Sequence, residues 1–375
     1  MKKSSGVSSP RSNRMAIFLI AVGALVALQL LGTVLMLYAP PYYVRMIMLS
    51  GIAIVLAVSL NLVNGFAGQF SLGHAGFYAI GAYASGVLTF YWGNGLVAWL
   101  TGFAHLPLAL AAVLLMLLAI LIAAVAAGTA GYLVGLPSLR LRGDYLAIAT
   151  LGFGEAIRVI IENSDAVGGA RGFDITRDAT GTLLNALGAI DKATFTWIFG
   201  AAILVVLFSR NLAMSSHGRA LFAIRDDEVA AESAGVAVFR YKVMVFAMGA
   251  AWAGVAGALF AQYDDYLTAK SFDFMKSIDI VVMVVLGGGG SITGSCVAAI
   301  VLTALPMLLQ NYLPGSIQNV RMVVYAVLLI VLMLTRPQGL FGRSEFSVRN
   351  LFRRRSVQPP RPANPDGGNS GGGGK

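Results

Sequence analysis

Charged residues and cysteines are scarce in this chain, and each scarcity excludes a class of protein. Only 12% of the 375 residues are charged, whereas 57% are apolar, and the mean hydropathy is +0.77. Several uncharged runs are as long as a bilayer is thick, which excludes a soluble globular protein. The single cysteine, Cys296, excludes an intrachain disulfide. We therefore predict an integral membrane protein.

The chain also lacks the motifs of nucleotide hydrolysis and of the common hydrolytic enzymes. No GxxxxGK[ST] loop occurs, so the glycine-rich run 285–295 is not interpreted as a phosphate-binding loop. No HExxH or GxSxG pattern occurs either. His74 has no second ligand at metal-binding spacing, and we interpret it as a hydrogen-bonded structural residue. We expect no catalytic residue, no metal and no cofactor on this chain.

The excess of positive charge lies entirely in the two tails. Residues 1–14 hold four basic and no acidic side chains, residues 336–375 hold eight basic and two acidic ones, and the rest of the chain balances. By the positive-inside tendency both tails are predicted to be cytoplasmic, which requires an even number of crossings. The basic excess of the tails therefore indicates membrane topology rather than nucleic-acid binding. Residues 15–38 lack charge and a small-x-small cleavage site, so we interpret them as an uncleaved first span.

Counting the apolar runs predicts about ten transmembrane helices. Nine are long enough to cross, namely residues 15–38, 46–63, 66–90, 108–136, 145–161, 193–208, 243–263, 292–312 and 317–335. The tenth, 278–286, is short and precedes a run of glycines, so we count it as a crossing completed by irregular backbone. The expected organisation is a basic segment 1–14, a permease domain 15–335 containing a polar insert 209–242, and a disordered tail 336–375.

Loop charges agree with this topology without reference to the tails. The loops assigned to the inside carry Arg140 and Arg142 or belong to the insert. Those assigned to the outside are acidic, in the stretches 162–191 and 264–273. Loops of one set should therefore lie together at one end of the molecule.

Two glycine-rich segments and one ion pair are candidates for the translocation path. Glycines in 64–83 allow close helix packing, and Gln69, Ser71 and His74 among them also suit a path lining. Glycines in 285–295 suit a broken helix beside a path. Glu155 and Arg158 stand three apart on one helical face, which favours a structural ion pair and leaves open a gate or substrate-ammonium role. The candidate path residues are Gln69, Ser71, His74, Glu155, Gly287, Gly288 and Ser291.

The insert contains good helix formers between Gly218 and Gly235. One helix is predicted there, with Phe222 and Val229 seven apart on an apolar face beside Leu221 and Ile224. Acidic residues in its middle argue against a helix lying on anionic lipid. Because a helix of this size cannot bury its apolar face by itself, we expect it to dock on a soluble protein. The candidate coupling residues are Arg219, Phe222, Arg225, Asp226, Asp227, Glu228 and Glu232.

Five separated motifs resemble the permeases of bacterial ABC importers for branched-chain amino acids, most closely the LivM-type subunit. They are GQFSLGHAGFYAIGAY from Gly68, GDYLAIATLGFGE from Gly143, GRALFAIRDDEVAAESAG from Gly218, VLGGGGSITG from Val285 and RPQGLFG from Arg336. The family's usual TGG-x-x-G stretch departs here, since residues 167–172 read VGGARG. That departure leaves the substrate and the binding protein open.

The resemblance implies an all-α, type II importer permease fold with the insert as the coupling element. It also implies a second homologous permease, two ATP-binding cassette subunits that bind the ATP, a periplasmic substrate-binding protein and a place in the bacterial inner membrane among its lipids. The expected substrates are leucine, isoleucine and valine. Alternatives are a permease for urea or short amides and an ion-coupled secondary transporter, although the carboxylates that border spans here lie near span ends.

Overall fold

A computed structural model describes residues 26–103, 107–141, 143–175, 182–264 and 266–312, together with Gly23, His105 and Val327. For residues 182–193, 311 and 312 it describes the backbone only. The predicted tails 1–14 and 336–375 lie outside the described residues, as does the predicted last span 317–335 apart from Val327.

The described chain is almost entirely helical. Its α-helices are α1 Val26–Tyr38, α2 Pro41–Asn61, α3 His74–Val87, α4 Gly93–Gly102, α5 Leu108–Ser138, α6 Asp144–Glu162, α7 Thr182–Met214, α8 Ser216–Asp226, α9 Glu228–Ser233, α10 Val238–Asp264, α11 Phe274–Gly287 and α12 Ile292–Tyr312. Short π-helical segments, Leu62–Phe66 and Leu88–Trp92, extend α2 and α3. Strands β1 (Phe173–Asp174) and β2 (Tyr266–Leu267) pair antiparallel.

Five helical segments of the described part are long and apolar enough to cross a bilayer. They are Pro41–Phe66, Leu108–Ser138, Thr194–Met214, Val238–Asp264 and Ile292–Gln310. On α5, exposed side chains such as Leu117, Leu121 and Val125 form an outer face suited to lipid. A multi-pass helical membrane protein is thus confirmed, while the count of ten spans stays a prediction.

Helix α10 lies at the centre of the bundle because small residues let α3 and α5 approach it closely. A Cβ added at Gly81 of α3 would overlap the backbone of Gly254 in α10, and one at Gly257 would overlap the carbonyl of Tyr78. Gly254 also faces the backbone of Ala123 in α5. In lipid such close van der Waals packing drives helix association. The packing interpretation of the predicted glycine cluster is confirmed at Gly81.

The loops divide between two ends of the molecule as their charges predict. At one end Arg45 pairs with Asp264 at 2.9 Å, and β1 joins β2. At the other end Lys242 pairs with Glu228 at 2.7 Å. Every one of these contacts joins segments assigned to the same side. The two acidic stretches therefore lie at the same end, and which end faces the cytoplasm stays a prediction.

Two features of the bundle differ from the sequence prediction. The predicted span 66–90 is helical only from His74, because residues 67–73 are irregular. Helix α4 was missed, since a glycine-rich ten-residue helix gives a weak apolar signal.

Candidate functional site

The insert folds as two short helices rather than the single helix predicted. The Ser215 side chain accepts a hydrogen bond from the backbone N–H of Gly218 at 3.1 Å and so begins α8. Asp227 has extended backbone angles and accepts hydrogen bonds from the N–H groups of Val229 and Ala230 at 2.9 and 3.0 Å. Asp227 thereby ends α8 and caps α9. The prediction of one helix was wrong because this carboxylate satisfies a new helix start.

The break at Asp227 changes which side chains of the insert face the bundle. Leu221 and Ile224 are buried within the protein, although the apolar face to which they belong was expected to dock on a soluble partner. Phe222 is half-buried, with its ring centroid 5.1 Å from that of Phe66. Val229, predicted on the same apolar face, is 64% exposed, because α9 does not continue the helical phase of α8. Val229 therefore lies off the buried apolar face, which on α9 is continued by Ala231.

The outward surface of the insert is charged and mostly acidic. Arg219, Asp226, Asp227 and Glu232 are exposed, whereas Arg225 and Glu228 are half-buried. Glu228 is tied to Lys242 of α10, which anchors α9 to the bundle. We call Arg219, Asp226, Asp227 and Glu232 the outer face of the insert. Of the predicted coupling residues, these four are free to meet another protein, while Phe222 and Arg225 point inward.

The insert covers an irregular segment, residues 67–73, which we call the first break. Three of its backbone N–H groups bond to partners within the protein. The N–H of Gln69 donates to the Val63 carbonyl at 3.1 Å, that of Ser71 to the Asn64 side chain at 3.3 Å, and that of Leu72 to the Thr150 hydroxyl at 3.1 Å. Irregular backbone among spanning helices is tolerated only with such partners. The break is thus held as a defined structure.

Residues 288–291, between α11 and α12, form a second break beside the first. Gly288 and Gly290 have φ of 102° and 96°, a region open to glycine. The Asn61 amide of α2 accepts from the Gly290 N–H at 2.8 Å and donates to the Ser291 carbonyl at 3.3 Å. One buried side chain therefore satisfies a donor and an acceptor of the glycine run. The irregular glycine-rich backbone predicted after 278–286 is confirmed, and a crossing by this segment stays a prediction.

Replacing Asn61 with leucine is expected to destabilise the protein, since it leaves the Gly290 N–H unpaired and removes one hydrogen bond to the Ser291 carbonyl, which keeps its bonds from Ser295. Each buried group left unpaired costs about 1–3 kcal/mol. We expect a lower Tm in detergent, measured by thermal unfolding of the purified protein. Asn61→Asp, which keeps the acceptor, should lie between Asn61→Leu and the native chain. An unchanged Tm in Asn61→Leu would contradict this role of Asn61.

The predicted path residues do not all lie together. Gln69 and Ser71 belong to the first break, and Gly288 and Ser291 to the second, which begins directly after Gly287. Gln69 is 3% exposed, and its side-chain amide has no hydrogen-bond partner within the described part of the chain.

His74 and Glu155 have structural contacts of their own. His74 begins α3, and its Nε2 lies 2.8 Å from the Ser59 hydroxyl, which confirms the interpretation as a hydrogen-bonded histidine. Glu155 pairs with Arg158 at 2.8 Å, and Arg158 also binds Glu162 at 2.6 Å. The predicted ion pair is confirmed. A path role for the seven candidate residues stays a prediction.

Sequence reasoning missed the polar side chains that hold the breaks. Asn61, Asn64, Thr150 and Ser277 each stand within or beside apolar runs, and each bonds backbone of a break or of the start of α3. The sequence did contain an indication of them, because a polar side chain in an apolar run is costly unless it has a hydrogen-bond partner. That cost predicts a partner but does not identify it.

Comparison with known proteins agrees with this architecture. The family described as "Branched-chain amino acid transport system / permease component" matches residues 42–332. The chain is 36% identical over 328 residues to the high-affinity branched-chain amino acid transport system permease protein LivM of Escherichia coli, covering 80% of this chain and 71% of that protein. No solved structure matches.

Two further relatives indicate the breadth of the likeness. The probable branched-chain amino acid transport permease protein LivM of Methanocaldococcus jannaschii is 28% identical over 77% of this chain and 90% of its own length. The permease protein LivH of Salmonella typhimurium is 33% identical over 39% of this chain and 48% of its own length. This chain therefore belongs to the family of permease components of branched-chain amino acid transport systems, and it is LivM-like.

Proposed function

We propose that this chain is the membrane permease subunit of an ATP-driven importer that carries leucine, isoleucine and valine across the bacterial inner membrane. The observation that carries the proposal is the 36% identity to a LivM permease over most of both chains. The names of the relatives supply the substrate class. In this proposal both termini lie in the cytoplasm, and transport proceeds by alternating access.

The energy comes from separate ATPase subunits that dock on the insert. The outer face offers exposed charge of mainly one sign close to the bundle, which suits a basic groove on a soluble partner. A displacement of the insert is passed to the membrane helices because α8 packs its inner side on them. The permease itself binds no ATP in this proposal, since its sequence has no P-loop.

The complete transporter contains a second permease, two ATPase subunits and a periplasmic binding protein. The partial likeness of this chain to LivH supports a related permease as the partner. A path between the two permeases would be bordered by residues of the first and second breaks, with Glu155 on α6 at the other end. Glycine-interrupted helices often lie beside such paths.

Reconstitution tests the proposal directly. The permease, its partner subunits and the binding protein are placed in proteoliposomes, and uptake of leucine, isoleucine, valine and urea is measured. We expect uptake of the three amino acids that requires ATP and persists with an uncoupler. Uptake of urea alone would favour the short-amide alternative. Uptake that survives without ATP and collapses with an uncoupler would favour an ion-coupled transporter.

A further inference from the structure

Arg225 occupies the place where the insert meets both helix breaks. Its side chain is 23% exposed, and its Nη1 donates a hydrogen bond to the Gly65 carbonyl at 3.1 Å, at the end of the π-helical segment that precedes the first break. A Cβ added at Gly290, in the second break, would lie 3.1 Å from the same nitrogen. The guanidinium is thus hydrogen-bonded at the entrance of the first break and lies beside Gly290 of the second.

The aliphatic part of Arg225 fits against the first break itself. Gly68 has a φ of 67°, and a Cβ added there would lie 2.9 Å from Cγ of Arg225. The absence of a side chain at Gly68 therefore leaves the room that the arginine stem occupies. Glycine at position 68 therefore permits both the positive φ of the chain and the close approach of Arg225 from α8.

Other groups orient the arginine on its own helix. Its guanidinium carbon lies 5.1 Å from the ring centroid of Phe222, one turn earlier on α8. Its Nη2 binds Asp226 at 3.2 Å. Since Phe222 in turn packs on Phe66, α8 holds the first break through two neighbouring side chains. Asp226, 62% exposed, connects the guanidinium to the outer face.

The two breaks are also tied to each other. Asn61 of α2 binds Gly290 and Ser291 of the second break, and it lies one turn before Gly65. A force on the Gly65 carbonyl therefore acts on α2, on the first break and, through Asn61, on the second break. Packed elements with hydrogen-bonded connections transmit displacement as a unit.

We propose that Arg225 is the positioning residue that fastens the insert to both breaks, so that a displacement of α8 moves the start of α3 and the α11–α12 junction together. The proposal rests on the proposed ATP-driven function. It assigns to Arg225 a task different from docking: the outer face binds the ATPase, whereas Arg225 converts the movement of the insert into a movement of the broken helices.

The test uses the complete reconstituted transporter with Arg225→Ala, Arg225→Lys and, as a matched control, Arg240→Ala. Arg240 is an exposed arginine of α10 that, within the described part of the chain, forms no ion pair or hydrogen bond with either break. For each variant three quantities are measured: ATPase subunits copurified per permease, ATP hydrolysed, and leucine transported per ATP hydrolysed.

We expect Arg225→Ala to copurify the ATPase normally and to transport about tenfold less leucine per ATP, within the range of coupling between linked sites. Arg225→Lys should recover part of this loss, since an ammonium still donates to the Gly65 carbonyl but lacks the fork that also binds Asp226. Arg240→Ala should match the native protein. A purely structural role would lower the yield of complex without changing transport per ATP.

Transport per ATP equal to native in Arg225→Ala would overturn the proposal. So would loss of copurified ATPase with unchanged transport per ATP in the complexes that remain, because Arg225 would then be a docking residue. Absence of ATP-driven uptake by the native complex would instead overturn the proposed function. Uptake by the native complex is therefore measured before any variant is compared.

Discussion

Replacing both Asp226 and Asp227 with lysine is expected to abolish ATP-driven uptake while leaving the permease in the membrane. Both side chains are exposed at the corner between α8 and α9. If the outer face docks on a basic groove, replacing these carboxylates with ammonium groups brings like charges together. Such a contact costs several kcal/mol at an interface. The measurement is uptake by reconstituted transporter, with ATPase copurification on the same samples.

The control for this prediction must separate charge from helix capping. Asp227 caps α9, and loss of an N-cap costs about 1 kcal/mol. Asparagine caps about as well as aspartate but carries no charge. The matched variant is therefore Asp226→Asn with Asp227→Asn, which should fold as the native protein does and keep part of its uptake. Normal uptake by the double lysine variant would refute docking through this corner.

Replacing Gly81 with valine is expected to prevent the bundle from assembling. Its Cβ would meet the backbone of Gly254, which has no side chain that can move away. The loss should be about 3 kcal/mol or more, because α3 and α10 must separate along their contact. We expect little folded protein after extraction, measured by size-exclusion chromatography and thermal unfolding.

Gly200→Ala provides the matched control for Gly81. Gly200 lies inside α7, and a Cβ added there would meet nothing within 4 Å. Alanine in a helix interior is favoured over glycine by about 1 kcal/mol, so the control should be at least as stable as the native chain. A Gly81→Val variant with native yield and Tm would show that α3 and α10 do not pack in this way.

The bundle could be predicted from the sequence where a long apolar run coincides with one helix. The runs 108–136 and 145–161 correspond to α5 and α6 within two residues at each end. The loop charges assigned the stretches 162–191 and 264–273 to one side, and β1 of the first pairs with β2 of the second. These features follow from local composition, which bilayer thickness and topology constrain strongly.

The breaks and the insert were harder to predict because long-range partners define them. Residues 67–73 read as part of an apolar span, yet side chains such as Thr150 satisfy their backbone from far along the chain. Arg225 read as an outward coupling residue, and its bond to the Gly65 carbonyl spans 160 positions. No local pattern specifies such a partner. At Asp227, by contrast, the capping preference of aspartate was a usable signal.

The side of the membrane on which the insert lies decides whether it can meet an ATP-hydrolysing subunit, and cysteine labelling measures it. Cysteine is placed at Ala223, an exposed position of α8, in a Cys296→Ser background, and a membrane-impermeant maleimide is applied to intact cells and to inside-out vesicles. The account predicts labelling in inside-out vesicles and none in intact cells. Labelling of Ala223→Cys in intact cells would contradict it, since an insert on the outer side cannot meet an ATP-hydrolysing subunit.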